Sequence, residues 1–126
     1  MLQLFVATAL FMLVLDLIWL SLNADYHTTL IKSVQGSAPT LRIVPAVLVY
    51  VLIPAAVLYF AVYPAKTTRE AATKGALLGA SMYGLYDLTN LASLKGWTTE
   101  MGIKDTLWGT VLCSAGAVAG FGLHRS

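Results

Sequence analysis

The strongest constraint in this chain is a series of long apolar stretches separated by short polar ones. Four stretches, at residues 1–22, 43–63, 75–94 and 106–123, contain at most one Asp each and no other charged residue. A helix needs about 20 apolar residues to cross a bilayer, so each stretch is a candidate transmembrane helix. Only short connections remain. The pattern predicts one transmembrane domain over residues 1–126, an all-α, polytopic four-helix transmembrane bundle.

The composition agrees with a membrane protein. Hydrophobic residues make up 58% of the chain and charged residues 11%, whereas a soluble domain has roughly 45–50% and about 25%. These values exclude an ordinary cytosolic globular protein and a disordered chain. The net charge of +2 is too small and too scattered for a nucleic-acid binder. A single cysteine excludes an intrachain disulfide framework.

The orientation follows only weakly from the charges. We interpret the first stretch as a membrane helix rather than a cleaved signal peptide, because no Lys or Arg precedes it and Asp16 lies within it. Four spans would put both termini on one side, and the eight Lys and Arg would then divide equally between the two sides. We expect cytoplasmic termini, because Lys66, Arg69 and Lys74 form the densest basic cluster.

Local signals mark the connections. In the longest loop, 23–41, a short interfacial helix is predicted by the four-residue spacing of Tyr26, Leu30 and Val34. A helix start is expected at residues 68–70. Pro54, in the middle of the second stretch, is expected to kink that helix.

Three acidic residues lie in or at the edge of these stretches. Charged residues within a membrane are costly and usually face the bundle interior or a water-filled cavity. Asp16 and Asp87 lie six or seven residues before the ends of their stretches, and Asp105 precedes the fourth stretch. The alternating direction of the spans therefore predicts that all three lie in the same half of the bilayer.

The third stretch has a polar face. At 100° per residue, Gly79, Tyr83, Tyr86, Asp87 and Asn90 fall within an arc of about 100°. The face begins with small residues and ends with a carboxyl, a carboxamide and two phenols. These groups would lie within hydrogen-bonding reach of a neighbouring helix.

The first and fourth helices share an Asp-x-x-Trp sequence, at Asp16–Trp19 and Asp105–Trp108. Each copy places an acid and an indole on adjacent turns at the same predicted depth. The candidate ligand-binding residues are therefore Asp16, Trp19, Tyr83, Tyr86, Asp87, Asn90, Asp105 and Trp108.

Structural interpretations stand beside this functional one. The tryptophans, Trp97 included, are typical of an interfacial aromatic belt. Asp105 is also a favourable first-turn residue at a helix N-terminus. The acids could instead form structural ion pairs with cations on their side of the membrane, which are Arg42, Lys95 and Lys104.

The remaining sequence features indicate helix packing and no catalytic or metal site. Small residues at Gly75, Gly79, Gly116 and Gly120 allow close helix contact. Cys113 is interpreted as a packing residue. His27 and His124 are far apart, and no metal-ligand, nucleotide or nucleophile motif is present, so no metal, cofactor or catalytic residue is predicted.

Three segments carry a family resemblance: YDLTNLA at 86–92 followed by LKGW at 94–97, DLIWL at 16–20, and DTLWGT at 105–110. They resemble the motifs of domain of unknown function 2177 (DUF2177), a family of small predicted membrane proteins. The resemblance covers essentially the whole chain. It implies a small bacterial-type inner-membrane protein, and it gives no reaction, substrate or catalytic residue.

Three functions remain open. The first is binding or permeation of a small polar or cationic ligand, or of protons, at Asp16 and Asp87, with a homo-oligomer needed to complete a carrier. The second is an accessory subunit whose small-residue stripes pack against a larger membrane complex. The third, a lipid-modifying enzyme using paired carboxyls as acid and base, is the least favoured, because no activated nucleophile accompanies them.

Overall fold

The protein is all-helical over the described residues of the computed structural model, which are 1–37, 39 and 42–126. The helices are α1 (Leu2–Leu22), α2 (Ala24–Gln35), α3 (Ile43–Val57), α4 (Thr68–Ser93) and α5 (Thr99–Arg125), and a π-helical turn, Leu58–Val62, extends α3. The predicted long loop 23–41 therefore contains α2, and its residues 38, 40 and 41 lie outside the described residues.

Three of the helices are long and apolar enough to cross a membrane: α1, α3 with its π-helical turn, and α5. The predicted third span, 75–94, falls within α4, which has 26 residues but does not meet the same hydropathy criterion. The polar residues within the predicted span, among them Tyr83, Tyr86, Asp87 and Asn90, account for the difference. The all-helical class is thus confirmed, and the four-span bundle is not.

The fourth predicted span begins earlier than expected. Helix α5 starts at Thr99, after Thr98, whose hydroxyl accepts a hydrogen bond from the amide of Met101 at 3.1 Å. Its first turn contains Glu100, so Asp105 lies in the second turn. The interpretation of Asp105 as a first-turn dipole residue is therefore wrong.

The start predicted at residues 68–70 is confirmed. The hydroxyl of Thr67 accepts a hydrogen bond from the amide of Glu70 at 3.1 Å, and the Glu70 carboxylate accepts one from the amide of Lys66. These contacts satisfy amides that have no partner inside the helix. Helix α4 is therefore fixed at its charged end.

Pro54 interrupts the backbone hydrogen bonding in the second half of α3. Pro54 is inside the helix and has no N–H, so the carbonyl of Tyr50 cannot receive the usual helical hydrogen bond from residue 54. Four residues later the helix changes to its π-helical turn, a local widening of the kind often found at functional sites.

The short helix predicted in the first loop is present as α2. Leu30, on its inner face, is 6% exposed and packs with Trp97 and Met101, and partly buried Tyr26 and Val34 flank the contact. Gly36 ends the helix in the left-handed conformation, with φ of 79°. Helix α2 therefore covers the loop that joins α4 to α5.

The main core lies where α4, α5, α1 and the end of α3 meet. Its buried members include Met12, Val57, Val62, Cys113 and Phe121. The outer faces of α1 and α3 carry large exposed apolar side chains, such as Leu10 and Val47. An apolar interior combined with an apolar exterior is typical of helices surrounded by lipid.

Glycines set the closest approach in the bundle. A Cβ on Gly79 would overlap the carbonyl oxygen of Gly109, and one on Gly109 would overlap the ring of Tyr83. A Cβ on Gly75 would lie 2.5 Å from the carbonyl oxygen of Cys113. Of the small residues predicted to permit close contact, Gly75 and Gly79 do so between α4 and α5, whereas Gly116 faces Met12 of α1 and Gly120 faces Val62 of the π-helical turn and Thr8 of α1.

Candidate intramembrane acidic site

Asp16 is held between two neutral donors from different helices. The hydroxyl of Tyr50, on α3, donates to its Oδ2 at 2.6 Å, and the indole Nε1 of Trp108, on α5, donates to its Oδ1 at 2.9 Å. Both oxygens of the carboxyl are thus oriented by hydrogen bonds that join α1, α3 and α5.

The two Asp-x-x-Trp motifs meet directly. The rings of Trp19 and Trp108 are stacked, with centroids 4.9 Å apart and planes 4° from parallel. Trp97 is only 8% exposed and meets Tyr86 edge-on, with centroids 5.9 Å apart. All three indoles make contacts within the protein, which an aromatic belt alone does not require.

Asp87 is the most buried of the three acids, with 1% of its surface exposed. The hydroxyl of Thr106 donates to its Oδ2 at 3.4 Å, which is long for a bond between oxygens. No N–H or O–H donor among the described residues reaches its Oδ1. The buried carboxyl of Asp87 is thus only weakly satisfied.

Asp105 lies in the same part of the bundle as the other two acids. Its carboxyl lies near enough to Asp87 and to Asp16 to interact electrostatically with both. The three predicted acids therefore lie in one region of the bundle.

Tyr83 and Tyr86 line the space beside Asp105. Tyr83 also lines the cavity that contains Asp16 and Tyr50. Asn90 neighbours the hydroxyl of Tyr86, one turn further along α4 and away from Asp16. The polar face predicted on α4 is real, and its members divide between the acids and the end of the helix.

Two adjoining cavities open onto these groups. One, of about 180 Å³, is lined by Asp16, Tyr50 and Tyr83 among others, and the second, of about 360 Å³, is lined by Asp105, Tyr83 and Tyr86. Val49, Ile53 and Tyr83 line both. A small ligand in this space would meet two carboxyls and several phenols.

No basic side chain neutralises the acids within the described part of the chain. The ion pair found there joins Lys104 to Glu100, at 3.5 Å, and the same ammonium lies 4.5 Å from the centre of the Tyr26 ring. Arg42 and Lys95 form no ion pair with an acid among those residues. The predicted structural pairing with cations is therefore not observed.

The residues described contain no group of three or more His, Cys, Asp and Glu side chains suited to a metal ion. Cys113 is fully buried against Gly79, in agreement with its predicted packing role.

Two partners of the acids were not foreseen from the sequence. Tyr50 is a polar residue in the middle of the charge-free second stretch, and that isolation is a signal that could have found it. Thr106 was named only as the start of a span. Its position one residue after Asp105 offered no comparable signal.

The fold and the site together define an all-helical membrane protein with a cluster of carboxyls inside its bundle. The chain belongs to the family described as "Predicted membrane protein (DUF2177)", whose model matches residues 1–122. Searches of curated proteins and of solved structures found no match.

Proposed function

We propose that this protein binds a small monovalent cation, most suitably an organic ammonium ion, in the space lined by Asp16, Tyr83 and Asp105. The observation that carries the proposal is that two carboxyls, Asp16 and Asp105, line adjoining cavities and form no ion pair with a basic side chain among the described residues. A buried charge costs several kcal/mol unless it is paired. A bound cation or a proton would supply the missing positive charge.

The lining favours an organic cation over a metal ion. Three tyrosines, Tyr50, Tyr83 and Tyr86, border the two cavities, and aromatic faces attract ammonium groups. A hard metal ion needs six or more oxygen ligands or a dedicated cluster, and the described residues offer none. The cavity beside Asp16, of about 180 Å³, is smaller than sites for drug-sized ligands, which occupy roughly 300–1,000 Å³, and the cavity beside Asp105, of about 360 Å³, is at the lower end of that range. A small ligand therefore suits this space.

The acids would have different roles in binding the cation. Asp16, already holding two neutral donors, would provide a fixed negative charge. Asp105, which faces the larger cavity, would contact the cation directly.

The test compares two acids of the same helix. Binding of methylammonium and tetramethylammonium to the full chain in phospholipid nanodiscs would be followed by tryptophan fluorescence, since Trp108 contacts Asp16. Asp105→Asn should weaken binding by at least ~10-fold, the effect of one charge-assisted contact. Glu100→Gln, whose side chain is 65% exposed, is the matched control and should bind normally.

Unchanged binding in Asp105→Asn would refute the cation site. If neither ammonium binds but the protein takes up protons on infrared titration of its carboxyl bands, and Asp105→Asn removes that uptake, the proton is the ligand instead.

The same proposal includes a four-span arrangement in an inner membrane, with cytoplasmic termini. Helix α4 packs along α5 over much of its length, and its buried Asp87 and glycines face that helix. A span with a polar inner face is tolerated where a neighbour covers it. Reporters fused at the two termini should report the same side, whereas opposite sides would indicate three spans.

The role of accessory subunit has less support. Its predicted docking surfaces were the small-residue stripes, and Gly75, Gly79, Gly109 and Gly116 are already covered by the chain's own helices. A homo-oligomer and a lipid-modifying enzyme stay predictions.

A further inference from the structure

A separate groove lies between α4 and α5, on the side of Asp87. It has a volume of about 340 Å³, and its walls and floor are formed by Gly84, Asp87, Leu88, Leu91, Thr99, Gly102, Ile103, Thr106 and Leu107. Leu88 and Ile103 are 66% and 56% exposed, so the groove opens towards the apolar surroundings of the bundle. None of its lining residues belongs to the cavities of the proposed cation site.

Gly84 keeps the groove open, although helix packing does not require a glycine there. A Cβ on Gly84 would meet only the Cγ2 of Thr106, at 3.8 Å, which is ordinary contact. One turn or so earlier, Gly79 has no such room, because a Cβ would overlap the backbone of Gly109. A glycine inside a helix costs about 1 kcal/mol relative to alanine. The absence of a side chain at Gly84 leaves empty space in the groove, whereas at Gly79 it allows α4 to touch α5.

A polar atom at this groove lacks a donor. The Oδ1 of Asp87 is buried, and no N–H or O–H group of the described residues reaches it. A buried acceptor without a donor is costly. The geometry therefore leaves a place for one donor from outside the chain.

We propose that this groove binds the hydroxyl end of an apolar molecule dissolved in the membrane, a lipid-borne alcohol. The hydroxyl would donate to Oδ1 of Asp87, and the apolar body would lie between Leu88 and Ile103. A hydroxyl has a single donor to satisfy, whereas an ammonium has three. Apart from Asp87, only Thr99 and Thr106 offer polar side chains in the groove, so an alcohol is matched and an ammonium is not. This site does not depend on the proposed cation site.

The test uses photolabelling of the full chain in phospholipid nanodiscs. The probe is a decanol that carries a diazirine on its chain, and mass spectrometry locates the label. Labelling is expected on the peptides that contain 84–91 and 99–107. Unlabelled n-decanol should compete at least ~10-fold better than decyl methyl ether, which has no O–H, because one hydrogen bond to a charged group separates them.

Two variants close the groove from opposite sides. Gly84→Leu fills its floor and should reduce labelling at least ~10-fold, while Gly84→Ala, the matched control, should label as the wild type does. Ile103→Trp narrows the groove from an exposed wall and should also reduce labelling, which preserves the test if Gly84→Leu does not fold.

Three results would overturn the proposal. The first is equal labelling of the wild type, Gly84→Leu and Ile103→Trp. The second is equal competition by n-decanol and its methyl ether, which would leave only a nonspecific apolar crevice. The third is stronger competition by decylamine than by n-decanol, which would make the ligand cationic.

Discussion

Alanine at Gly79 and alanine at Gly84 should change the stability of the protein in opposite directions. Both glycines lie inside α4, five residues apart. A new Cβ on Gly79 would overlap the carbonyl oxygen of Gly109, lie 2.8 Å from its carbonyl carbon and lie 2.9 Å from the Cβ of Cys113. On Gly84 it would meet a single methyl group at 3.8 Å.

The magnitudes follow from these contacts. Overpacking costs roughly 1–3 kcal/mol, and the upper end applies at Gly79 because the obstacle is backbone, which cannot rotate away. Alanine gains up to about 1 kcal/mol over glycine in helix propensity. Gly79→Ala should therefore lower the free energy of unfolding by about 2 kcal/mol, and Gly84→Ala should raise it by up to ~1 kcal/mol.

The assay is reversible unfolding in mixed micelles with increasing sodium dodecyl sulfate, followed by circular dichroism and tryptophan fluorescence. The pair is its own control, because the chemical change is the same at both positions. If Gly79→Ala were as stable as Gly84→Ala, the close contact of α4 and α5 would be wrong, and with it the position of Asp87 relative to Asp105.

Two other perturbations test the contacts of the site and of α2. Tyr50→Phe removes the donor to Asp16 and should lower the free energy of unfolding by about 2 kcal/mol, but much less in an Asp16→Leu background; equal effects in both backgrounds would mean that the hydrogen bond does not form. Leu30→Ala should weaken the docking of α2 by about 2 kcal/mol and speed amide hydrogen exchange in α2 by ~30-fold, whereas the exposed control Thr29→Ala should not, and unchanged exchange in Leu30→Ala would place the helix elsewhere.

Much of the fold could be predicted because apolar length and periodicity are local properties. The first and second apolar stretches match α1 and α3 with its π-helical turn closely, and the four-residue spacing of Leu30 with its neighbours predicted α2. The boundary of α5 was missed because Thr98, a polar residue in a presumed loop, caps the helix and extends it by nearly two turns. Hydropathy cannot detect such a cap, since the first turns of the helix are polar.

The sequence predicted a meeting of the acids through an expected alternation of four spans. That alternation would place Asp16, Asp87 and Asp105 at one level whatever the crossing angles are. Their arrangement was not predictable, because it depends on which helices are neighbours. Asp105 lies near the other two only because α5 contacts both α1 and α4.

The sequence by itself determined that this chain is an apolar helical protein, where its acids lie along the helices, and which faces are small enough for close contact. The tertiary structure alone decided that Tyr50 and Trp108 hold Asp16, that Oδ1 of Asp87 finds no donor among the described residues, and that Gly84 borders an open groove while Gly79 lies at a close contact. The reason is physical. Spacing along one helix fixes the direction in which a side chain points, but what it meets depends on how separate helices cross.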